Sequence, residues 1–150
     1  MHTDDIVTIT ILGKRAHSMS SANTTDQRLE HFIETCRRLG LKVTHQRTEI
    51  FRELAATAEH PDAETIYERV HARIPALSLD TVYQTLRTLE EHGVIARVGS
   101  MRERTRFDAN TDQHHHFVCT QCGQVSDFYS EELDRFAPPP EVLERGSVAS

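Results

Sequence analysis

The stretch TDQHHHFVCTQCGQVSDF, residues 111–128, holds three histidines, two cysteines and two aspartates. Side chains of these types at this spacing bind cations. On a β-strand, residues two apart share a face, so His114 and His116 point one way and His115 the other. Two imidazoles on one face can hold one divalent ion. Asp127 lies on the neighbouring strand expected over QVSDFY, and Asp108 lies at the end of a preceding hairpin. Imidazole mixed with carboxylate suits Fe(II), Mn(II) or Zn(II) better than Cu(I). Cys119-x-x-Cys122, followed by Gly123, is one half of a zinc knuckle: two thiolates grip one ion and the glycine permits the tight turn. A tetrahedral zinc site needs more ligands, and there is no second Cys-x-x-Cys. Cys36 sits on an apolar helical face and reads as packing. A thioredoxin-like dithiol lacks the strand-to-helix setting it requires. Three consecutive histidines alone could be an exposed polar run. His-x-His with Cys-x-x-Cys and Asp127 outweighs that reading. His60, just ahead of Pro61, carries no pattern that singles it out. His31, His45, His71 and His92 read as solvent-facing.

The 150 residues are 37% hydrophobic and 6% aromatic, with no Trp. That supports a modest core, not the deep pocket of a large enzyme. There is no Gly-rich phosphate loop and no His-Glu-x-x-His, so the chain reads as a non-enzyme. The formal charge of -6 argues at first against nucleic acid, but its distribution reverses that view. Residues 1–106 carry 15 basic and 15 acidic side chains, and residues 107–150 carry 2 and 8. A neutral first part can present a local basic face, while an acidic, His-rich second part suits cations. No apolar run approaches the ~20 residues of a membrane span. Three cysteines with one tight pair suit a reducing cytoplasm. IVTITIL at 6–12 follows Asp4-Asp5 and fails as a signal peptide, which needs a basic lead. Residues 1–22 are therefore expected to be a disordered tail or an upstream start artefact, with Met19 as the alternative start.

The elements that position these side chains can be read from periodicity. Four helical patterns follow one another. The first is capped at Thr24 or Thr25, buries Leu29, Phe32, Ile33, Cys36 and Leu39, and closes at Gly40. The second starts at Thr44 and buries Ile50, Phe51 and Leu54. The third begins near Pro61. The fourth starts at Ser78, buries Leu79, Val82, Leu86 and Leu89, and ends at Gly93. Two strands around Gly99-Ser100 make a hairpin. Helices followed by a hairpin form a winged helix-turn-helix, whose last helix enters the major groove of DNA. Its outward face offers Ser78, Thr81, Gln84, Thr85, Arg87 and Thr88, with Tyr83 nearby. Glutamine can pair with adenine, and threonine or tyrosine can touch a thymine methyl. Arg87 reads as a phosphate clamp, and Lys42, Arg47 and Arg52 add positive charge. A solvated helix face is the blander alternative, and the hairpin weighs against it. The expected fold class is α+β: a tail at 1–22, a winged-helix DNA-binding domain at 23–107, and a small, incomplete α/β dimerisation domain at 108–150.

GLKVTHQR, HPDAETIYERV, SLDTVYQTLRTLEEHGVI, RFD and HHHFVCTQCGQVSDF, in that order, resemble the ferric uptake regulator (Fur) family from about Leu29 to Phe128. Asp108 and Asp127, where other branches tend to have Glu, make the chain most similar to the peroxide-sensing PerR branch. The resemblance implies a metal-dependent repressor with a regulatory Fe(II) or Mn(II) site made by His60, Asp108, His114, His116 and Asp127. It gives His60 a role as a ligand. It implies that peroxide acts at bound iron to oxidise His60 or His114, after which the metal leaves and repression ends; Mn(II) would support DNA binding without this chemistry. It places Tyr83 and Gln84 at the bases and Lys42 in the minor groove of an A·T-rich inverted repeat bound by a homodimer. Further strands, and often a second Cys-x-x-Cys completing a zinc site, are expected after this region, and this chain departs from that pattern. Zinc at Cys119 and Cys122 would need ligands from elsewhere. The alternatives are a sensor of iron, zinc or manganese sufficiency in the same family, a metal-buffering protein or metalloenzyme, or a truncated interaction protein that does not bind DNA.

Overall fold

The computed structural model describes residues 8–11, 24–99, 104–119 and 121–135. Two compact units divide the chain: Met19–Thr111, and Asp112–Ser150 together with Met1–Ser18. The division falls beyond the 107/108 boundary expected from the sequence, so Asp108 belongs to the first unit. The first element in chain order is a strand, β1 (Thr8–Ile11). A structureless tail over 1–22 is therefore corrected at these positions, where alternating Thr and Ile favour extended backbone. Met19 and the triplet Pro138–Pro140 lie outside the described residues.

The larger unit opens with α1 (Thr25–Arg38), which begins in a capping box. The Gln27 amide donates to the Thr24 hydroxyl, and the Gln27 side chain accepts from the Thr24 amide at 3.0 Å. Next come α2 (His45–Ala55), α3 (Ala63–His71) and α4 (Leu79–Glu91). Thr44 and Ser78 cap α2 and α4 by accepting the amides of Arg47 and Thr81. α3 begins near Pro61, as expected: its cap is Asp62, which accepts the Thr65 amide at 2.9 Å, and Pro61 precedes the cap. Burial opposes the charge of Asp62. Hydrogen bonds from Thr65 and Arg104 outweigh it and hold the carboxyl below its usual range.

Phe32, Ile50, Leu54, Ile66, Val82, Leu86 and Leu89 fill the helical core, with Phe32 and Phe51 stacked at 4.1 Å. Two expectations fail at helix faces. Leu39 stands at the C-cap of α1 and is 40% exposed. Thr85, expected outward, is buried, because it lies one turn on from Val82 in the core-facing stripe. The wing pairs β2 (Ala96–Val98) with β3 (Arg106–Asp108), antiparallel, with Ala96 opposite Asp108. Its expected turn at Gly99-Ser100 extends beyond the described residues. Three packed helices and this hairpin make the winged helix, and with the second unit's sheet they make an α+β chain.

The second unit holds β4 (His115–Val118), β5 (Val125–Phe128) and the short α5 (Glu131–Asp134). The sheet order is β1-β4-β5, antiparallel throughout. Val118 pairs with Val125 and both are buried, which anchors the β4–β5 register from its apolar end.

The helical core sets the stability of α4. Leu86→Ala removes a fully buried side chain from the centre of α4, and is expected to lower the unfolding free energy by about 2–5 kcal/mol. Urea denaturation would show this as a lower midpoint at unchanged slope; an unchanged midpoint would mean that α4 is not packed as described.

Candidate functional site

β pairing brings the second unit's ligand types together. His116 on β4 stands directly opposite Asp127 on β5. His114, one residue ahead of β4, shares the face of His116. Their Nε2 atoms lie 3.0 Å apart, and Asp127 Oδ1 lies 3.3 Å from His116 Nε2 and 3.7 Å from His114 Nε2. Ligand atoms bonded to one cation at about 2.1 Å stand roughly 3.0 Å apart at octahedral edges and roughly 3.4 Å apart at tetrahedral ones. The observed separations fall around that range. Both imidazoles are buried, so the cluster is shielded from bulk water.

The protonation pattern fits a cation as well. His114 Nδ1 lies 2.7 Å from the Asp112 carbonyl, which can only accept. Nδ1 must carry the hydrogen, and the Nε2 of a neutral His114 is then a lone pair aimed at His116. Fixing the far nitrogen of a histidine on a carbonyl is how ligating imidazoles are oriented.

The first unit holds a second pair of the same chemistry. His60 Nε2 and Asp108 Oδ2 are 3.3 Å apart, and both residues are buried. The other Asp108 oxygen accepts the Asn110 amide at 2.7 Å, which orients the carboxylate. His60 lies in the left-handed region at φ 51, a conformation that costs a non-glycine residue on the order of 1–3 kcal/mol. Its backbone is held there from both sides. The Arg106 guanidinium donates to the carbonyls of Glu59 and His60, and the Phe107 amide donates to Pro61. Sequence periodicity missed His60 because its signal is a backbone angle imposed by β3. A buried His between two helices, followed by Pro, was the available hint.

His115 points away from this cluster. Its Nε2 reaches Asp134 Oδ1 at 2.9 Å and the Ser130 carbonyl at 3.3 Å, tying β4 to α5. Cys119 is half-buried and Cys122 is exposed. The Gly123 amide donates to the Cys119 carbonyl and the Cys119 amide to Gln124, closing the turn with Gly123 at φ 70. That is the local geometry of a metal knuckle. His71 is half-buried, not solvent-facing, with Nδ1 3.1 Å from the Leu77 carbonyl.

Of the residues expected from the sequence to contact DNA, Lys42, Ser78, Tyr83, Gln84 and Arg87 are exposed, and Arg47 and Thr81 are half-buried. Several are engaged locally. Gln84 donates to Asp80 and Arg87 to Glu91, each at 2.8 Å. The Tyr83 hydroxyl donates to Glu64 at 2.8 Å, and that bond is the main cause of its raised pKa. Arg47 donates to the Lys42 carbonyl at 2.6 Å, and the Ser78 hydroxyl caps α4 while meeting the Thr81 hydroxyl at 2.8 Å. Arg47 and Ser78 thus shape the backbone that presents the others.

Comparison with known proteins agrees with this architecture. Residues 38–143 match the model of the ferric uptake regulator family. The peroxide-responsive repressor PerR of Staphylococcus epidermidis is 35% identical over 109 residues, 73% of each chain. A solved zinc-bound manganese uptake regulator is 30% identical, with a TM-score of 0.59, and the match covers 76% of this chain and 83% of that one. The structure describing peroxide sensing and gene regulation by PerR from Streptococcus pyogenes is 28% identical, with a TM-score of 0.52, over 71% and 74%.

The ligand geometry has a direct consequence. Asp127→Ala is expected to weaken Mn(II) binding by at least the ~10–100-fold that loss of a mere outer-shell partner costs. His31→Ala, on an exposed face of α1, is expected to leave it unchanged. Competition with a chromophoric chelator measures both; equal affinities for the two variants would remove Asp127 from the site.

Proposed function

We propose how this chain works from the premise that it belongs to the ferric uptake regulator family. It is a metal-dependent DNA-binding transcriptional repressor. In our reading its regulatory ion is Fe(II) or Mn(II), held jointly by His60, Asp108, His114, His116 and Asp127. The observation that carries this is the trio of buried His114 and His116 with half-buried Asp127 at ligand spacing, supported by the oriented His60–Asp108 pair. One pair belongs to the winged-helix unit and the trio to the other. An ion shared by both would favour one arrangement of the two units by its differential affinity, which is all a switch requires. No enzymatic turnover is part of this function.

In the DNA-bound state, Gln84 and Tyr83 exchange their carboxylate partners for base edges, while Arg87 and Lys42 meet phosphate and minor groove. Ser78, Thr81 and Arg47 support α4 and the turn before α2. The partner is an A·T-rich inverted repeat read by a homodimer, with half-sites about one helical turn, ~34 Å, apart or a multiple of it. Cys119 and Cys122 contribute two thiolates to a zinc ion completed by other ligands. Among the described residues no helix is long and apolar enough to cross a membrane, and we place the repressor in the cytoplasm, beside its DNA.

We further propose that the signal is peroxide. Bound ferrous iron supplies the chemistry that cleaves peroxide and oxidises a neighbouring imidazole. In this reading His60 or His114 would take up the oxygen, and an oxidised imidazole donates poorly to a metal. The similarity to PerR of S. epidermidis supports this reading, and Asp at 108 and 127 is consistent with it. The similarity to a manganese uptake regulator favours a second reading, sensing of metal sufficiency without peroxide chemistry.

Fluorescence anisotropy on an A·T-rich inverted repeat is expected to show tight binding with Mn(II) and loss of binding after chelation. Gln84→Ala should cost about 1–3 kcal/mol and relax discrimination at one position; Arg87→Ala should weaken all sequences alike and reduce the salt slope by about 1. Chelation-independent binding would refute the switch. Mass spectrometry of the Fe(II) protein after peroxide is expected to find one added oxygen on the peptide containing His60 or His114. Its absence from both would decide for sensing of metal sufficiency.

A further inference from the structure

β4 is the strand that carries His116 and follows directly on His114, and it lies in the middle of its sheet. One neighbour is β5, which brings Asp127. The other is β1, from the far N-terminal end of the chain. The two ladders share a register, so Thr10, His116 and Asp127 form one row across the sheet, and Ile11, His115 and Phe128 form the next. The family match begins only at residue 38, so β1 lies outside what the family comparison accounts for. The chain is thus in the second unit at β1, forms the first unit, and returns to the second at residue 112.

We propose that Thr8–Ile11 is a working strand of the sensor unit, which holds β4 from its outer edge and so positions His114 and His116 for the metal. A strand in mid-sheet has its amides and carbonyls satisfied on both sides, whereas an edge strand exposes alternate ones to water or to another chain. Without β1, β4 would keep only the short ladder to β5, four residues long. Two-stranded ribbons of that size are marginal. Imidazoles that must converge at 3.0 Å need a strand that does not fray or slip, because a slip of one residue would turn His115 to the ligand face. β1 supplies this bracing from a segment that reads, by sequence alone, as a dispensable tail. The claim that bracing matters for metal rests on the proposed regulatory site; the claim that β1 pairs with β4 does not.

The test uses the full chain and a variant, Ile9→Pro with Thr10→Pro. Antiparallel hydrogen-bonded and non-bonded positions alternate, so two consecutive prolines remove a ladder donor whichever position is bonded. By hydrogen exchange, alternate β4 amides facing β1 are expected to exchange at least tenfold faster in the variant, with α2 and α4 unchanged. Mn(II) affinity is expected to fall at least tenfold. A peptide of residues 4–12 added in trans should restore both in part. Unchanged β4 exchange would overturn the pairing. Faster exchange with unchanged Mn(II) affinity would overturn the positioning role. If the unaltered chain binds no Mn(II), the regulatory-site reading fails, and exchange still decides the strand. Should the variant lose its whole fold, nuclear Overhauser contacts in the unaltered chain decide: cross-strand contacts between residues 8–11 and 115–118 sustain the pairing, and their absence overturns it.

Discussion

The register of β4 against β5 is the constraint on which the proposed metal site depends. Side chains on a strand alternate strictly, so a one-residue slip would exchange the face of His114 and His116 for that of His115. The sheet pins the register at its apolar end, where Val118 and Val125 pair and are buried. Two residues along, the same ladder sets His116 against Asp127. Burying polar ligand atoms costs free energy unless they meet partners. At His114 the cost is contained by fixing the ring at its far side, where Nδ1 donates to the Asp112 carbonyl. His115, on the opposite face, is engaged by Asp134 and becomes a structural link to α5.

The winged-helix unit presents a different balance. Its helices are held by a dense apolar core, and its surface is a mosaic of paired charges with no net excess over residues 1–106. Arg69 and Arg73 are both bridged to Glu53, and the groups on α4 that face solvent are bridged to Asp80, Glu64 and Glu91. Exposed pairs of this kind contribute little stability. In the proposed DNA-bound state their effect would be on recognition: a phosphate or base edge would have to displace a carboxylate already in place, which would disfavour loose attachment to any DNA. The left-handed turn at His60 is the opposite case, a local strain retained because Arg106 and Phe107 hold the backbone on both sides.

Much of this could be read before any coordinates. Threonine and serine caps, the core stripe of α4, the hairpin and the His-x-His face all follow from short-range rules: periodicity 3.6 or 2, and side-chain oxygens that satisfy the first amides of a helix. Where the sequence reading failed at a helix face, residue type misled and position along the helix decided. Thr85 is polar yet lies in the core stripe one turn from Val82, and Leu39 is apolar yet falls at a helix end.

The sequence by itself determined the element types, the winged-helix order and the ligand chemistry at residues 108–127, because each is encoded within a few neighbouring residues. Only the tertiary structure decided that His60 meets Asp108, that Asp127 stands opposite His116, and that Thr8–Ile11 joins the sheet of residues 115–128. Those contacts join residues far apart in the chain. Periodicity marks which residues can form a strand or a face, but the partner is chosen by the combined burial, register and backbone pairing of the folded chain.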